Sequence, residues 1–239
     1  LFIFFFNDPP TTDAYPLSLN DALPICLRAY VCQQVGCFAP VNATLADLGT
    51  GTGGLAEMLA QSGFRVTAAD IAPDCFRPAA IPFVACDLNA DFAAAFSGCF
   101  DGIVATEVVE HLENPRHFLR QCKALLRDGG WLFLTTPNLE NPVSKTLFLR
   151  HDYFLWFSDK NHRQIGHITP VSRWYLEKSA IDVGLEVHAM TSFGDPYAEI
   201  DDWPRMRLLS RTLAVFSKTP NYLSVEILLC VMSQPNASS

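Results

Sequence analysis

The stretch Leu45-Ala46-Asp47-Leu48-Gly49-Thr50-Gly51-Thr52-Gly53-Gly54 constrains this chain more than any other. An apolar run reads as a strand, glycines follow without a gap, and Gly54 to Gln61 reads as a helix. Glycines at such a strand-to-helix turn let a ligand approach the backbone more closely than a Cβ allows. Spacing alone does not choose the ligand, because Gly49, Gly51 and Gly54 also satisfy the dinucleotide pattern G-x-G-x-x-G. Asp47, two residues before the first glycine, and Gly53 add an acid-x-Gly-x-Gly-x-Gly pattern to it.

Further stations follow in order. Phe64 to Asp70 reads as a second strand ending in an acid, 21 residues after Gly49. A carboxylate there can accept both hydroxyls of a ribose, a station shared with NAD-binding folds. Pro82 to Asp87 reads as a third strand, again ending in an acid. Phe100-Asp101-Gly102-Ile103-Val104-Ala105-Thr106-Glu107-Val108-Val109-Glu110-His111-Leu112 is the fourth station, and Gly129-Gly130-Trp131-Leu132-Phe133-Leu134-Thr135-Thr136-Pro137-Asn138 the fifth. Taken singly, a strand-end acid reads as a helix cap or a solvated group.

Taken together, these five motifs resemble the class I S-adenosylmethionine (SAM) methyltransferases. The glycine turn is similar to their motif I. Phe100 to Leu112 looks like the F-D-x-V-x-x-x-E-V-I-E-H-L signature of the ubiquinone O-methyltransferase-like branch, and Gly129 to Asn138 resembles that branch's fifth strand. The resemblance implies an α/β fold with a doubly wound, mostly parallel seven-stranded sheet, order 3-2-1-4-5-7-6 and the last strand antiparallel. It also implies SAM as cofactor, with S-adenosylhomocysteine as product. Asp47, Gly49, Thr50, Gly51 and Gly53 would wrap its amino-acid and ribose parts, and Asp70, followed by Ile71, would hold the ribose hydroxyls. Asp87 would hold the adenine amino group with Leu88 flanking the ring, while Thr106 and Glu107 would face the cofactor.

Residues 1–25 read differently. They open on Leu1-Phe2-Ile3-Phe4-Phe5-Phe6, and Asn7, Asp8, Thr11, Thr12, Tyr15, Leu17 to Leu19 and Asp21 to Ile25 resemble a translated sequencing adapter. No Lys or Arg precedes Arg28, as the basic region of a signal peptide requires. The apolar run is also too short to span a bilayer. These residues are therefore treated as foreign to the domain and expected to be disordered. Setting aside Asp8, Asp13 and Asp21 takes the net charge from −8 to −5.

Residues 26–239 read as one domain with a sizeable core. A modest acidic balance without a basic run argues against nucleic acid as a partner. Eight cysteines without a C-x-x-C pair fit reduced thiols in the cytoplasm better than a zinc site or disulfide frame. Leu27 to Val35 reads as a helix ending near Gly36. Pro115 to Leu126 reads as an amphipathic helix capped by Asn114 with Gly129 just past its end, and Ser172 to Val183 as a helix stopped by Gly184. Leu185 to Met190 and Tyr222 to Met232 read as the last two strands.

Two insertions read as the acceptor side. Residues 138–168 carry Phe148, Tyr153, Phe154, Trp156 and Phe157, which suits either an apolar pocket or simple packing onto the sheet. Residues 191–221 carry Arg205, Arg207, Arg211 and Lys218 beside Leu208, Leu209, Leu213, Val215 and Phe216. That pattern reads as a solvated helix face or as a peripheral contact with an anionic membrane surface.

The expected reaction moves a methyl group to a small-molecule or lipid-linked acceptor, most readily at oxygen. A hydroxyl acceptor needs a base, and His111, His162 and His167 are the candidates, each also readable as a structural hydrogen-bonding group. Glu107, Glu110 and His111 would share one helix face, where they could hold a divalent ion; that is the minority reading. A nicotinamide-dependent oxidoreductase and a non-catalytic SAM-binding module remain as competing classes. Asp87 and the E-V-V-E-H-L run weigh against the first.

Overall fold

The apolar run before the glycine turn is buried on both faces, and that property organises the whole molecule. The computed structural model describes residues 25–219 and 225–236. The adapter-like extension, apart from Ile25, lies outside the described residues. In chain order the elements are α1 (Ile25–Phe38), β1 (Thr44–Leu48), α2 (Gly54–Gln61), β2 (Arg65–Asp70), β3 (Phe83–Ala85), β4 (Phe100–Thr106) and α3 (Pro115–Leu125). There follow β5 (Leu126–Pro137), α4 (Pro142–His151), α5 (Asp159–Ile165), α6 (Arg173–Val183), β6 (Glu186–Phe193), α7 (Pro204–Phe216) and β7 (Ile227–Ser233).

The strands form one sheet of order β3-β2-β1-β4-β5-β7-β6, the order that the resemblance implies. β1 pairs in parallel with β2 and β4, and only β7 runs against its neighbours β5 and β6. Side chains of β1 alternate between two cores, as strand geometry requires. Ala46 and Leu48 join Phe118, Leu119, Leu176 and Ala180 of α3 and α6 on one face. Leu45 joins Val31, Val35, Leu55 and Leu59 of α1 and α2 on the other. Each of the Val, Leu and Phe side chains among them contributes about 1.5–3 kcal/mol by leaving water. This doubly covered sheet explains why its central strands read as unbroken apolar runs.

Local signals set most helix ends. Asn114 accepts from the His117 N–H at 3.0 Å with Pro115 in the first turn, and Phe118, Leu119, Cys122 and Leu125 then fall on the buried stripe of α3. Ser172 caps α6 through the Tyr175 N–H at 3.1 Å, and Gly184 ends it at φ 78°.

Several boundaries differ from expectation: β3 is shorter, Phe83–Ala85, and β6 runs on to Phe193. α1 continues through Gly36 to Phe38, because Phe38 packs on Trp131 with ring centroids 5.0 Å apart. Gly129 lies inside β5 rather than beside the end of α3: Leu126 already pairs with Phe100, and the register shift between Phe100 and Gly102 absorbs the turn. β7 begins at Ile227, and residues 222–224 of the expected strand lie outside the described residues.

The two insertions meet each other. Val143 and Leu147 of α4 pack with Leu155, Ile200 and Met206, ringed by Tyr153, Trp156, Tyr197 and Trp203. They form a satellite helical layer joined to the sheet where β5 ends and β7 begins. None of the eight cysteines forms a disulfide. Among the described residues no helix is long and apolar enough to cross a membrane.

Candidate functional site

The carboxyl ends of β1, β2 and β3 deliver the first half of the site. Gly49, Gly51 and Gly53 all have positive φ, at 70°, 55° and 89°. A Cβ at Gly49 would stand 2.5 Å from Val108 Cγ2, and one at Gly53 would meet Phe76 and Pro78, so neither position tolerates a side chain. The turn is tied to β2: the Gly49 N–H donates to the Ala69 carbonyl at 2.8 Å, and the Gly51 N–H to Asp70 Oδ2 at 2.9 Å. Asp70 Oδ1 accepts from the Ala72 N–H at 3.0 Å. Each carboxylate oxygen retains accepting capacity beyond these bonds.

Asp47 sits beneath the turn, 2% exposed, and accepts from the Thr50 hydroxyl at 2.6 Å. Burial pushes its pKa up to about 7, with the Asp70 charge adding and the Thr50 hydrogen bond opposing. Its role in this arrangement is to hold the turn from below. Ile71 follows Asp70 as an exposed apolar side chain, 69% accessible. Asp87 is exposed and accepts from the Asn89 N–H at 2.8 Å. Leu88 packs into the larger core with Phe92, so the apolar surface open to a ring at this edge is that of Ile71.

Arg28 is a member that the motifs do not announce. It reaches from α1 to the first residue of α2, where its guanidinium occupies the space a Cβ on Gly54 would need. Its positive charge acts on Asp47, and its buried Nε has no hydrogen-bond partner among the described residues. A basic residue on a helix ahead of the first strand was the available signal.

The second half lies beyond β4. Thr106 is 5% exposed, and its hydroxyl has no hydrogen-bond partner among the described residues. Glu107 turns the chain at φ 54°, with its carboxylate accepting from the Thr135 hydroxyl at 2.9 Å. Burial pushes its pKa up to about 7 against that hydrogen bond, and the charge of Glu226 adds to the effect. Glu226 comes from the far end of the chain, just ahead of β7, and burial raises it to about 7 as well, helped by Glu199.

The expected common helix face of Glu107, Glu110 and His111 does not form. Only Val109–His111 is helical, as a single tight turn, and Glu107 precedes it in the left-handed conformation. The group that does assemble is Glu110, His111 and His167, whose ligand-capable atoms lie within 4.8 Å of one another. Glu110 is fully buried; Oε2 accepts from the Thr136 hydroxyl at 3.2 Å, while Oε1 has no partner among the described residues. Desolvation raises its pKa well above the usual carboxylate range.

His111 Nδ1 lies 3.2 Å from the Gly166 carbonyl, and His167 Nδ1 lies 2.9 Å from the Trp156 carbonyl. A carbonyl only accepts, so each Nδ1 carries the proton and each Nε2 presents a lone pair. Burial lowers both pKa values, that of His167 to about 4 with help from His111. Both rings are neutral near pH 7. His162, the third candidate, is exposed on α5 and lies outside this group. In the insertion Phe148 stacks on Phe154 at 4.5 Å and Phe157 leans on His167 at 5.3 Å. Of the cations expected on α7, Arg207 pairs with Asp201 and Arg211 lies over the Tyr197 ring.

A doubly wound sheet with a glycine turn tied to a strand-end acid defines the Rossmann-like nucleotide-cofactor class. Within that class, residues 28–190 match the methyltransferase domain family, and the chain belongs to it. The ubiquinone biosynthesis O-methyltransferase of Xanthomonas axonopodis pv. citri (strain 306) is 36% identical over 107 residues, 41% of this chain and 45% of that protein. The chain thus spans about half the length of the curated relatives it matches. The SAM-dependent methyltransferase of Archaeoglobus fulgidus shares the fold, with a TM-score of 0.59 at 15% identity over 87% of this chain and 93% of that one. So does the [4+2]-cyclase SpnF, with a TM-score of 0.56 at 16% identity over 89% and 86%. A fold shared with a cyclase leaves the reaction to be argued from the site.

Proposed function

We propose that the chain is a SAM-dependent methyltransferase acting on oxygen of a small-molecule or lipid-linked acceptor. The observation that carries this reading is the Gly51–Asp70 bond at one edge of the sheet together with the neutral His111–His167 pair at the same edge. The donor set suits SAM part by part. Arg28 offers a cation for the carboxylate, Asp70 acceptors for the ribose hydroxyls, Ile71 an apolar surface for the adenine, and Asp87 an acceptor for its amino group.

Bound SAM supplies a methyl group on a sulfonium that leaves as neutral thioether. The protein's part is to orient the acceptor for in-line attack, which can contribute about 7–11 kcal/mol. His111 or His167 takes the acceptor's proton at Nε2, the nitrogen its backbone carbonyl leaves free. Neutral rings at pH 7 suit a base, worth about 10²–10⁴-fold. Phe157, from the aromatic insertion, leans on His167 and shields that ring from water.

A second reading rests on the Glu110, His111 and His167 group, whose two Nε2 atoms and orphaned carboxylate oxygen have the donor chemistry of a divalent site. Two neutral rings with open Nε2 atoms serve proton transfer without any further ligand, and that is the reading we put first. The test is incubation of the protein with isotopically labelled SAM and cell extract, followed by mass spectrometry. A labelled O-methyl product supports the reading; labelling at nitrogen or carbon overturns the oxygen assignment.

A further inference from the structure

A cleft of about 440 Å³ opens on the satellite layer, between α4, the first turn of α6 and the end of α7. It lies outside the cofactor turn and has no part in the methyl-transfer scheme. The Arg173–Glu140 ion pair ties the start of α6 to the residues just beyond the carboxyl end of β5, the edge at which its parallel neighbour β4 delivers Thr106. The cleft opens beside the acceptor edge.

Three cations line it: Lys145, Arg173 and Lys218. Arg173 Nε bonds Glu140 Oε2 at 3.2 Å. Among the described residues no carboxylate pairs with Lys145 or Lys218. The Lys145 ammonium instead donates to Ser217 Oγ at 3.0 Å and to Thr219 Oγ1 at 2.8 Å. Hydroxyls orient an ammonium without neutralising it, so the cleft keeps an excess of two positive charges. Partial burial lowers the Lys145 pKa, the Glu140 charge opposing. A dianion relieves that cost. The apolar part of the lining is Leu149, one helical turn beyond Lys145 on α4, with Leu213 and Phe216 of α7; Leu149 is 74% and Phe216 77% exposed. A volume of about 440 Å³ lies within the usual ligand-pocket range and exceeds what one small anion fills.

We propose that this cleft binds a phosphate monoester carried on an apolar chain or ring. A monoester brings about −1.5 to −2 charge near pH 7 and three acceptor oxygens, matching the excess charge and the lysine geometry. The apolar part lies against Leu149 and Phe216, removing them from water. Methyl transfer is not needed for this binding, so the two ideas stand or fall separately.

The test is calorimetric titration of the full chain with octyl phosphate below its micellar concentration, with inorganic phosphate and with octyl glucoside. Octyl phosphate binds saturably at one site, about tenfold or more tighter than inorganic phosphate, and octyl glucoside does not bind. Lys145→Gln and Lys218→Gln each weaken octyl phosphate by about tenfold or more, the loss expected for a charged hydrogen bond. Phe216→Ser weakens octyl phosphate but not inorganic phosphate. S-adenosylhomocysteine titrations of the same variants report that the fold is intact. Unchanged affinity in both lysine variants overturns the proposal. So does equal binding of octyl glucoside, or attachment to phosphatidylglycerol vesicles without any saturable octyl phosphate binding.

Discussion

The Gly51 N–H donates to Asp70 Oδ2 across 2.9 Å, locking the glycine turn after β1 to the last residue of β2. Two segments 19 residues apart are thereby fixed before any ligand arrives. A turn held in its binding shape spares a ligand the cost of ordering it. In the proposed reading the same carboxylate would also accept the ribose hydroxyls, so one acid would both set the turn and hold the ligand.

Asp70→Ala is expected to weaken SAM binding by about 1.5–3 kcal/mol, the range for hydrogen bonds to a charged group. Calorimetry with an intact fold, checked by circular dichroism, reads this out. Unchanged affinity would remove Asp70 from the ribose site.

Arg28→Gln should weaken SAM and S-adenosylhomocysteine by about tenfold or more, because the cation that meets the amino-acid carboxylate is gone. Methylthioadenosine lacks that carboxylate, and its affinity should stay unchanged. An equal loss for both ligands would mean that Arg28 only shapes the turn.

Replacing both candidate bases, in the His111→Ala/His167→Ala double variant, should lower kcat by about 10²–10⁴-fold while SAM affinity holds, and the single variants show which ring carries the loss. The wild-type rate should be level near pH 7 and fall only below 6.5, because burial lowers both histidine values. Full activity in chelator is expected. Loss on chelation with recovery on adding a divalent ion would instead give Glu110, His111 and His167 to a metal.

Stability should also carry a pH signature. Asp47, Glu107 and Glu226 are each raised to about 7. Such groups bind more protons when folded, so the ligand-free protein loses stability as pH rises through the interval from their ordinary values to about 7. The histidines act oppositely below 6.5, leaving 6.5 to 7.5 as the window where the carboxylates dominate. Melting temperature should rise on going from pH 7.5 to 6.5. Asp47→Asn should flatten that rise; an unchanged slope would place the proton elsewhere.

The sheet was legible because its signals are local. Glycines 49, 51 and 53 need a turn, Asn114 and Ser172 cap helices, and apolar runs mark strands covered on both faces. Asp47 and Asp70 stand at fixed spacings from the glycines, whereas the part given to Asp87 came from the resemblance to methyltransferases. Arg28 and Glu226 were not legible, because each reaches the site through tertiary packing, from α1 and from the segment before β7. The Glu107-x-x-Glu110-His111 pattern suggested a helix face that the backbone breaks at Glu107, and His167 takes the vacant place from 56 residues beyond His111. Spacing predicts neighbours only where the local conformation is known.

Cofactor identity is the claim on which the rest depends, and paired calorimetric titrations of the purified chain with S-adenosylhomocysteine and with NADH address it most directly. S-adenosylhomocysteine should bind at one saturable site and be lost in Gly51→Val, where a branched side chain cannot adopt φ 55° without strain. NADH should give no saturable heat. Saturable NADH binding without S-adenosylhomocysteine binding would contradict the account.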